Sequence, residues 1–155
     1  MPARNAATQV SPLAVRRSIL IHATPDRVWR EFESFDRMAA WWGTGHTLVA
    51  YDPREGGHIE MEVEVEGEMR RFGGPILVFE PGRELTFEDQ WIPPREWPVP
   101  VFITLRLTPF ENATLVELLV HGFEAFGAEA GERHRGLEKG WSVRQLEALR
   151  VIIEA

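Results

Sequence analysis

The sequence contains no cysteine, and this absence excludes disulfide bonds, thiolate zinc sites, iron–sulfur clusters and a cysteine nucleophile. It also lacks any apolar run near the roughly 20 residues that a transmembrane helix needs. The first apolar stretch, residues 13–21, is interrupted by Arg16 and Arg17 and does not have the layout of a signal peptide. Acidic side chains outnumber basic ones by 24 to 17, which disfavours nucleic acid and anionic membranes as partners. We therefore expect a cytoplasmic protein that neither binds nucleic acid nor inserts into a membrane.

Motifs for nucleotide binding and for hydrolysis are also missing. The sequence has no Walker loop, no G-x-G-x-x-G, no G-x-S-x-G and no H-E-x-x-H. Metal binding needs three or four converging donors, but the histidines are scattered along the chain. They are His22, His46, His58, His121 and His134. The sequence thus predicts neither a metal site nor a cofactor.

What the sequence does contain is typical of one domain. Its 155 residues are 44% hydrophobic and 26% charged, as expected of a single globular unit. Residues 1–12 show no periodicity and are expected to form a loose tail, while residues 13–155 form the domain. Six Trp and nine Phe stand against one Tyr. Because Trp and Phe bring large apolar area with few hydrogen bonds, this excess favours a core or an apolar pocket.

Periodicity predicts the elements of this domain. A β-branched and aliphatic run indicates a first strand over residues 13–22. Thr24, Pro25 and Asp26 suit the cap, the first position and the first turn of a helix. A second short helix is expected over residues 35–42. From residue 59 onward apolar and acidic residues alternate, which indicates a meander of strands with one buried face and a total of six or seven strands.

The last part of the chain predicts a long helix, over about residues 133–154. Leu137, Trp141, Ala148 and Ile152 share one face of this helix. Its roughly 20 residues, at about 1.5 Å each, are enough to cross a sheet. An antiparallel sheet with one apolar face needs a cover, and this helix is long enough to supply it. The expected fold class is α+β, a curved antiparallel sheet wrapped around a long C-terminal helix, with a cavity between them.

Polar residues on the apolar side of these elements are the candidates for chemistry. The pleat points Asp89 inward, unless a bulge intervenes or the residue lies in water at the open end of the sheet. A buried carboxylate costs several kcal/mol unless it is paired, and Arg106 is a possible partner. An inward Asp89 would orient a ligand or act as a general base. His121 is a weaker catalytic candidate at a strand end, and Gln145 falls inside the apolar arc of the last helix.

Large apolar side chains on the inward faces are expected to line the cavity, although about half of them would equally well fill the core. With the polar candidates included, the predicted ligand-binding residues are Trp41, Trp42, Met61, Phe72, Phe87, Asp89, Trp91, Phe102, Trp141 and Gln145. Trp97 lies in a proline-dense loop, which is expected to form a rigid rim at one mouth of the cavity.

Several short motifs resemble those of one family. The segment IHATPDRVW at residues 21–29 is similar to the I-x-A-P-x-x-V-W opening of the START-like (SRPBCC) superfamily. Further motifs resemble the branch named for the activator of heat-shock protein 90 ATPase, homologue-like. They are Trp41-Trp42, DPREGG at 52–57, the segments 79–87 and 113–123, and Gly140-Trp141. The resemblance covers about residues 13–154 and implies a helix-grip fold, like that of the birch pollen allergen, with a cavity between the sheet and the last helix.

The resemblance implies more than one kind of activity, because members include carriers of lipids and other hydrophobic ligands, polyketide cyclases and co-chaperones. Our first hypothesis is that the chain binds a hydrophobic or amphipathic small molecule, such as a lipid. The second is an enzyme of cyclase or hydratase type that uses Asp89 or His121. The third is a protein-interaction domain, with heat-shock protein 90 or a second copy of the chain as partner. Co-chaperones of the family carry an additional N-terminal domain, which we do not expect twelve residues to supply.

Overall fold

The computed structural model describes residues 8–94 and 97–155. The strands in these residues are β1 (Val15–Ile21), β2 (Thr47–Tyr51), β3 (His58–Val65), β4 (Glu68–Glu80), β5 (Glu84–Ile92), β6 (Val101–Phe110) and β7 (Ala113–His121). These seven strands of the described chain form one antiparallel sheet, in the order β1-β7-β6-β5-β4-β3-β2. The predicted α+β class is confirmed.

Strand β4 continues through the sequence Gly73-Gly74-Pro75 without a break. Gly73 has a φ of 137°, and a Cβ at this position would lie 2.1 Å from the carbonyl oxygen of Ile59 in β3. Only glycine fits so close an approach of two backbones. The glycines therefore allow the two strands to approach closely without ending β4.

Two short helices follow β1, and their sequences explain where they begin. Helix α1 (Pro25–Trp29) continues into a 3-10 turn (Arg30–Phe32), and α2 spans Phe35–Trp42. The side-chain oxygens of Thr24 and Ser34 each accept a backbone N–H from the first turn, at 3.2 Å. Such caps satisfy donors that have no partner inside a helix. The predicted start of the first helix and the predicted bounds of the second are confirmed.

The C-terminal helical segment is interrupted, in contrast to the single helix predicted over residues 133–154. It consists of α3 (Ala130–Gly140), which follows a 3-10 segment (Phe123–Glu129), and α4 (Arg144–Glu154). Trp141, between them, has an extended backbone. Ser142 favours the break, because its Oγ accepts the N–H of Arg144 at 3.2 Å, a local hydrogen bond that competes with helical geometry.

A second cause of the interruption is tertiary. Nη2 of Arg17, in β1, donates to the carbonyl oxygens of Glu138 at 2.9 Å and of Trp141 at 3.1 Å. A guanidinium at this position satisfies carbonyls that the helix end leaves without partners. The sheet itself thus holds the C-terminal end of α3 and stabilises the break.

The two helices cover the sheet unequally. Leu146 and Leu149 of α4 are completely buried, and this helix packs against α2 and β1. Helix α3 has no fully buried residue. The space between sheet and helices is therefore filled beside α4 and remains partly open beside α3. None of the described helices has both the length and the apolar composition that a bilayer crossing requires.

Residues 8–12, part of the predicted tail, lie against the face of the sheet opposite the helices. The carbonyl oxygen of Thr8 accepts a hydrogen bond from Nη2 of Arg106 at 2.6 Å. The hydroxyl of Thr8 also donates to the Glu84 carboxylate. The remainder of that predicted tail, residues 1–7, lies outside the described residues.

Candidate functional site

A cleft of about 220 Å³ opens on the helix side of the sheet, between the adjoining parts of β4 and β5, the loop that follows β5, and α3. Most of its lining is aromatic or aliphatic, and one residue is acidic. The lining residues are Val63, Phe72, Asp89, Gln90, Trp91, Trp97, Leu137 and Trp141. Six of the ten predicted ligand-binding residues are thus absent from the cleft, while Phe72, Asp89, Trp91 and Trp141 meet there.

The sheet register brings the aromatic wall of the cleft together. Phe72 in β4 stands directly opposite Trp91 in β5, and their rings lie 5.8 Å apart in an edge-on arrangement. Asp89 lies two residues before Trp91, so the pleat turns both to the same face. Trp141 forms the opposite wall because the break between α3 and α4 places it there.

Asp89 has no hydrogen-bond partner for its Oδ1 atom within the described chain, and that atom is buried. Burial disfavours the charged form and raises the pKa of this carboxyl to about 7. The residue as a whole keeps some exposed surface, as expected of a group that lines a cleft. The predicted pairing with Arg106 is wrong, because the register places Val101 opposite Asp89 and sets Arg106 opposite Glu84.

The rim of the cleft is held in place by several contacts around Trp97. Its carbonyl oxygen accepts a hydrogen bond from Nε2 of Gln90 at 3.0 Å. Its ring meets that of Phe126 at 5.5 Å, and the guanidinium of Arg133 lies 5.5 Å from its centroid. Trp97 therefore stands at the mouth of the cleft as a fixed side chain, with a cation–π contact on its ring.

Four predicted ligand-binding residues are placed in the solid core. Trp41, Trp42, Met61 and Phe87 are each at most 1% exposed. The ring of Trp42 lies 6.1 Å from that of Phe87, which is in the central strand β5. These side chains fill the interior behind the cleft and do not line it.

A second, polar cavity adjoins the cleft. It has a volume of about 250 Å³, and the two cavities share Phe72 and Trp141 as a common wall. Gln145, the polar candidate on the last helix, lines this chamber together with His46. Burial lowers the pKa of His46, and a hydrogen bond with the Trp42 backbone opposes that effect in part. Nε2 of His46 is buried and has no partner among the described residues.

Phe102 and His121 lie on the other face of the sheet. They stand opposite each other in β6 and β7, with ring centroids 5.7 Å apart, and both line an open groove of about 680 Å³. Residues 8–12 form one wall of that groove. Phe102 therefore cannot contribute to the cleft on the helix side, and His121 is separated from Asp89 by the thickness of the sheet.

The polar groups beneath this outer groove satisfy one another. Thr86 donates to the Glu84 carboxylate at 2.7 Å, Thr86 and Thr104 share a hydrogen bond at 2.8 Å, and Thr104 bonds Nε2 of His121 at 2.8 Å. Burial, followed by the nearby charge of Arg106, lowers the pKa of His121. Although this groove is larger than the cleft, its polar chain needs no ligand to complete its hydrogen bonding.

Sequence reasoning missed several contributors to the two cavities on the helix side, among them Gln90, Leu137 and His46. Leu137 was assigned to the apolar helix face, where it does lie. The position of His46 depends on how the turn after α2 folds back on Phe72, whose ring lies 5.4 Å away, and no local pattern encodes that contact. Within residues 8–94 and 97–155, no three His, Asp or Glu side chains converge as metal ligands would.

Comparison with proteins of known structure shows where this fold recurs. Protein CV1439 from Chromobacterium violaceum is 23% identical, with a TM-score of 0.67, over 94% of this chain and 99% of its own. Protein Ms6760 from Mycobacterium smegmatis is 17% identical, with a TM-score of 0.70, over 94% of this chain and 93% of its own. The Aha1 dimer from Colwellia psychrerythraea is 18% identical, with a TM-score of 0.59, over 91% of this chain and 96% of its own. At these identities the likeness concerns the fold alone.

No curated protein matches the sequence. A family model does match it, that of the activator of Hsp90 ATPase homolog 1-like proteins, over residues 22–154. This range includes every element from the helices after β1 to α4 and agrees with the resemblance carried by the sequence motifs. The chain belongs to the START-like family of activator of Hsp90 ATPase homolog 1-like proteins.

Proposed function

We propose that this protein binds a hydrophobic or amphipathic small molecule in the cleft beside α3. The observation that carries the proposal is an unpartnered, buried carboxyl oxygen of Asp89 in a wall of aromatic side chains. A buried polar atom without a partner costs free energy, and a bound molecule with one polar group would remove that cost. Apolar lining with few polar groups is the usual composition of a small-molecule site.

The size of the cleft limits what can bind in it. Its volume of about 220 Å³ is below the range of about 300–1,000 Å³ that is usual for drug-sized ligands. The cleft alone therefore suits a small aromatic molecule or a short alkyl chain. A longer ligand would have to extend toward solvent or into the polar chamber.

The test is a titration with a neutral apolar dye, Nile red, followed by its fluorescence. Leu137→Trp places a large ring in the cleft from α3, a helix with no fully buried residue, so the fold should tolerate it. Val151→Trp is the matched control, because Val151 is 67% exposed. We expect the dye to bind wild-type protein and the Val151→Trp variant alike, and Leu137→Trp at least about tenfold more weakly, a loss of about 1.4 kcal/mol.

Two outcomes of this titration would contradict the proposal. One is that the wild-type protein binds no dye at all. The other is that Leu137→Trp and Val151→Trp bind it equally, which would place the dye elsewhere on the surface. Native mass spectrometry of the three proteins with the dye then gives the stoichiometry, for which we expect one molecule per chain.

A second candidate function rests on the same carboxyl group. A side chain whose pKa is near 7 is suited to general acid–base chemistry, so Asp89 would serve an enzyme of cyclase or hydratase type. Asp89→Asn tests this second function. An enzyme would lose turnover while it still binds its ligand, whereas a protein that only binds the ligand has no turnover to lose. His121, on the opposite face, cannot assist Asp89 in such a reaction.

Other roles expected from the family resemblance stay predictions. Heat-shock protein 90 as a partner, a homodimer and a cytoplasmic location each need their own measurement. The dimer is the simplest to check, by light scattering of the purified chain.

A further inference from the structure

Asp89 presents to the cleft a hydrogen-bond acceptor that has no donor. Its Oδ1 atom is buried and has no partner among the described residues. The other polar side chain of the lining, Gln90, donates its amide to the carbonyl oxygen of Trp97 at 3.0 Å. No basic side chain is among the described residues that line the cleft. Because an ionised carboxylate only accepts hydrogen bonds, a ligand that satisfies Asp89 has to bring a donor of its own.

The walls around that oxygen favour a donor with a positive charge. The aromatic rings of the lining belong to Phe72, Trp91, Trp97 and Trp141. The face of such a ring carries partial negative charge and attracts ammonium and guanidinium groups, most strongly when the ring is that of Trp. Two of these rings already contact cations of the chain itself, since the guanidinium groups of Arg70 and Arg133 lie 5.5 Å from the ring centroids of Trp91 and Trp97.

The charges around the cleft do not oppose a cation. Each of the two arginines has a carboxylate partner: Nε of Arg70 lies 3.3 Å from Oε1 of Glu68, and Nη2 of Arg133 lies 3.4 Å from Oε1 of Glu129. The chain as a whole has a net charge of −7 at pH 7, which attracts cations and disfavours anions. Among the described residues that line the cleft, Asp89 is the one titratable group.

We infer that the ligand of the cleft is an amine with one small apolar group, bound in its ammonium form with an N–H donated to Oδ1 of Asp89. An ion pair is stabilising only where the cost of removing water from its charges is limited. The cleft opens to solvent and Asp89 keeps some exposed surface, so the other N–H donors of the ammonium group stay hydrated. This inference rests on the proposed function and adds the chemical class of the ligand's polar group.

An NMR titration with three ligands tests the inference. They share a phenyl ring and a two-carbon arm and differ in charge: 2-phenylethylammonium, 2-phenylethanol and phenylacetate. The indole N–H signals report binding, because three of the six Trp line the cleft. At pH 8 the amine is protonated and Asp89 is ionised. The amine should bind at least about tenfold more tightly than the alcohol, a difference of about 1.4 kcal/mol, and phenylacetate should bind most weakly.

A matched pair of variants assigns this preference to one carboxylate. Asp89→Asn removes the charge and keeps the shape, so it should weaken the amine at least about tenfold and the alcohol less than about threefold. The aromatic walls remain, and for that reason binding of the amine is weakened and not abolished. Glu88→Gln removes the same charge from the next residue, which the pleat turns to the opposite face of the sheet, and should leave all three affinities unchanged.

The protonation of Asp89 provides a second measurement, one that a purely structural role of this residue would not affect. An ammonium group favours the ionised carboxylate, so saturating amine should lower the pKa of Asp89 below its value of about 7 in the free protein. For the same reason the affinity for the amine should rise several-fold from pH 6 to pH 8 in wild type and stay constant in Asp89→Asn. The guanidinium groups of Arg70 and Arg133 remain protonated throughout this range.

The outcomes separate this inference from the proposed function. Equal affinities for amine and alcohol, tightest binding of phenylacetate, or equal weakening of amine and alcohol by Asp89→Asn would overturn the amine and leave the apolar binding site intact. The same conclusion follows if Nile red binds and none of the three ligands does. If neither the dye nor any of the three binds the wild-type protein, the proposed function fails and this inference fails with it. Selective weakening of the amine in Asp89→Asn, with Glu88→Gln unaffected, supports both.

Discussion

Two of the three acidic residues of strand β5, Glu84 and Asp89, point to opposite faces of the sheet and have opposite surroundings. Glu84 is 4% exposed and accepts hydrogen bonds from Thr86 and Thr8, with Nε of Arg106 at 3.9 Å. Asp89 has a buried oxygen with no partner in the described chain. The first arrangement stabilises the fold, whereas the second leaves a polar group for a ligand to satisfy. Within one strand, the hydrogen-bond partners of an acidic side chain thus distinguish a residue that stabilises the fold from one that is available to a ligand.

The largest expected effect comes from breaking the partnered carboxylate. Glu84→Ala leaves Arg106 without its anion and the Thr86 hydroxyl without its acceptor, so we expect a loss of about 3 kcal/mol in the free energy of unfolding. Urea denaturation at pH 7 measures it. A loss below about 1 kcal/mol would contradict this view, because it would mean that the contacts of Glu84 stabilise the folded state little more than water does.

Removing the unpartnered carboxylate should act in the other direction. Burial raises the pKa of Asp89 from 3.8 to about 7, so the folded state holds a proton that the unfolded state releases between these values. The free energy of unfolding of the wild-type protein therefore falls as the pH rises from 4 to 7. Above pH 7, the destabilisation caused by the ionised Asp89 stays constant. Asp89→Asn should be more stable than wild type at pH 8, by about 2 kcal/mol after allowing for partial solvation, with a smaller difference at pH 4.

Urea denaturation of both proteins at pH 4, 6 and 8 gives the required differences. Glu88→Gln, a neighbouring and half-exposed position, is the matched control and should show no comparable gain with pH. If the free energies of unfolding of wild type and Asp89→Asn differ by the same amount at all three pH values, the placement of Asp89 in an apolar cleft is contradicted.

Much of this comparison could be predicted from the sequence, because a period of two fixes which residues share a face. It placed Asp89 with Phe87 and Trp91, and the structure agrees. It also indicates the inner face of β6, because Val101, Ile103, Leu105 and Leu107 share one phase whereas Thr104 and Arg106 share the phase of Phe102. The assignment of Phe102 to the cavity went against that pattern, and the residue faces the outer groove.

Two other features depend on tertiary contacts that no local pattern contains. The pairing of Glu84 with Arg106 follows from the strand register, which sequence periodicity leaves open by any even number of residues. The break in the last helix depends partly on Arg17, more than 120 positions earlier, which holds the carbonyls of Glu138 and Trp141. Gly140 and Ser142, both unfavourable inside a helix, were visible signals of it.

A smaller effect is expected inside the outer polar chain. Thr104→Val keeps the shape of a completely buried residue but removes the hydrogen bonds to Thr86 and His121. Two buried groups then lose a partner, so we expect a loss of about 1–2 kcal/mol in the free energy of unfolding. Thr108→Val, at an exposed position of the same strand, is the control. If Thr104→Val is as stable as wild type, this series of hydrogen bonds does not contribute to the stability of the fold.

The smallest effect concerns ligand affinity. An ionised Asp89 makes the cleft less favourable for a neutral apolar molecule, so the affinity for Nile red should fall as the pH rises from 6 to 8. A several-fold decrease, about 1 kcal/mol, is expected in wild type, and none in Asp89→Asn. Equal pH dependence in both proteins would assign the effect to another group.

The most direct test of the account is an NMR titration of the side-chain carboxyl carbon of Asp89, with and without 1-octanol. We predict a pKa of about 7 in the free protein and a different pKa with octanol present, because the ligand would replace the water around the carboxyl group. A pKa near 4 that octanol does not change would contradict the claim that this carboxyl lies without a partner in a ligand-binding cleft.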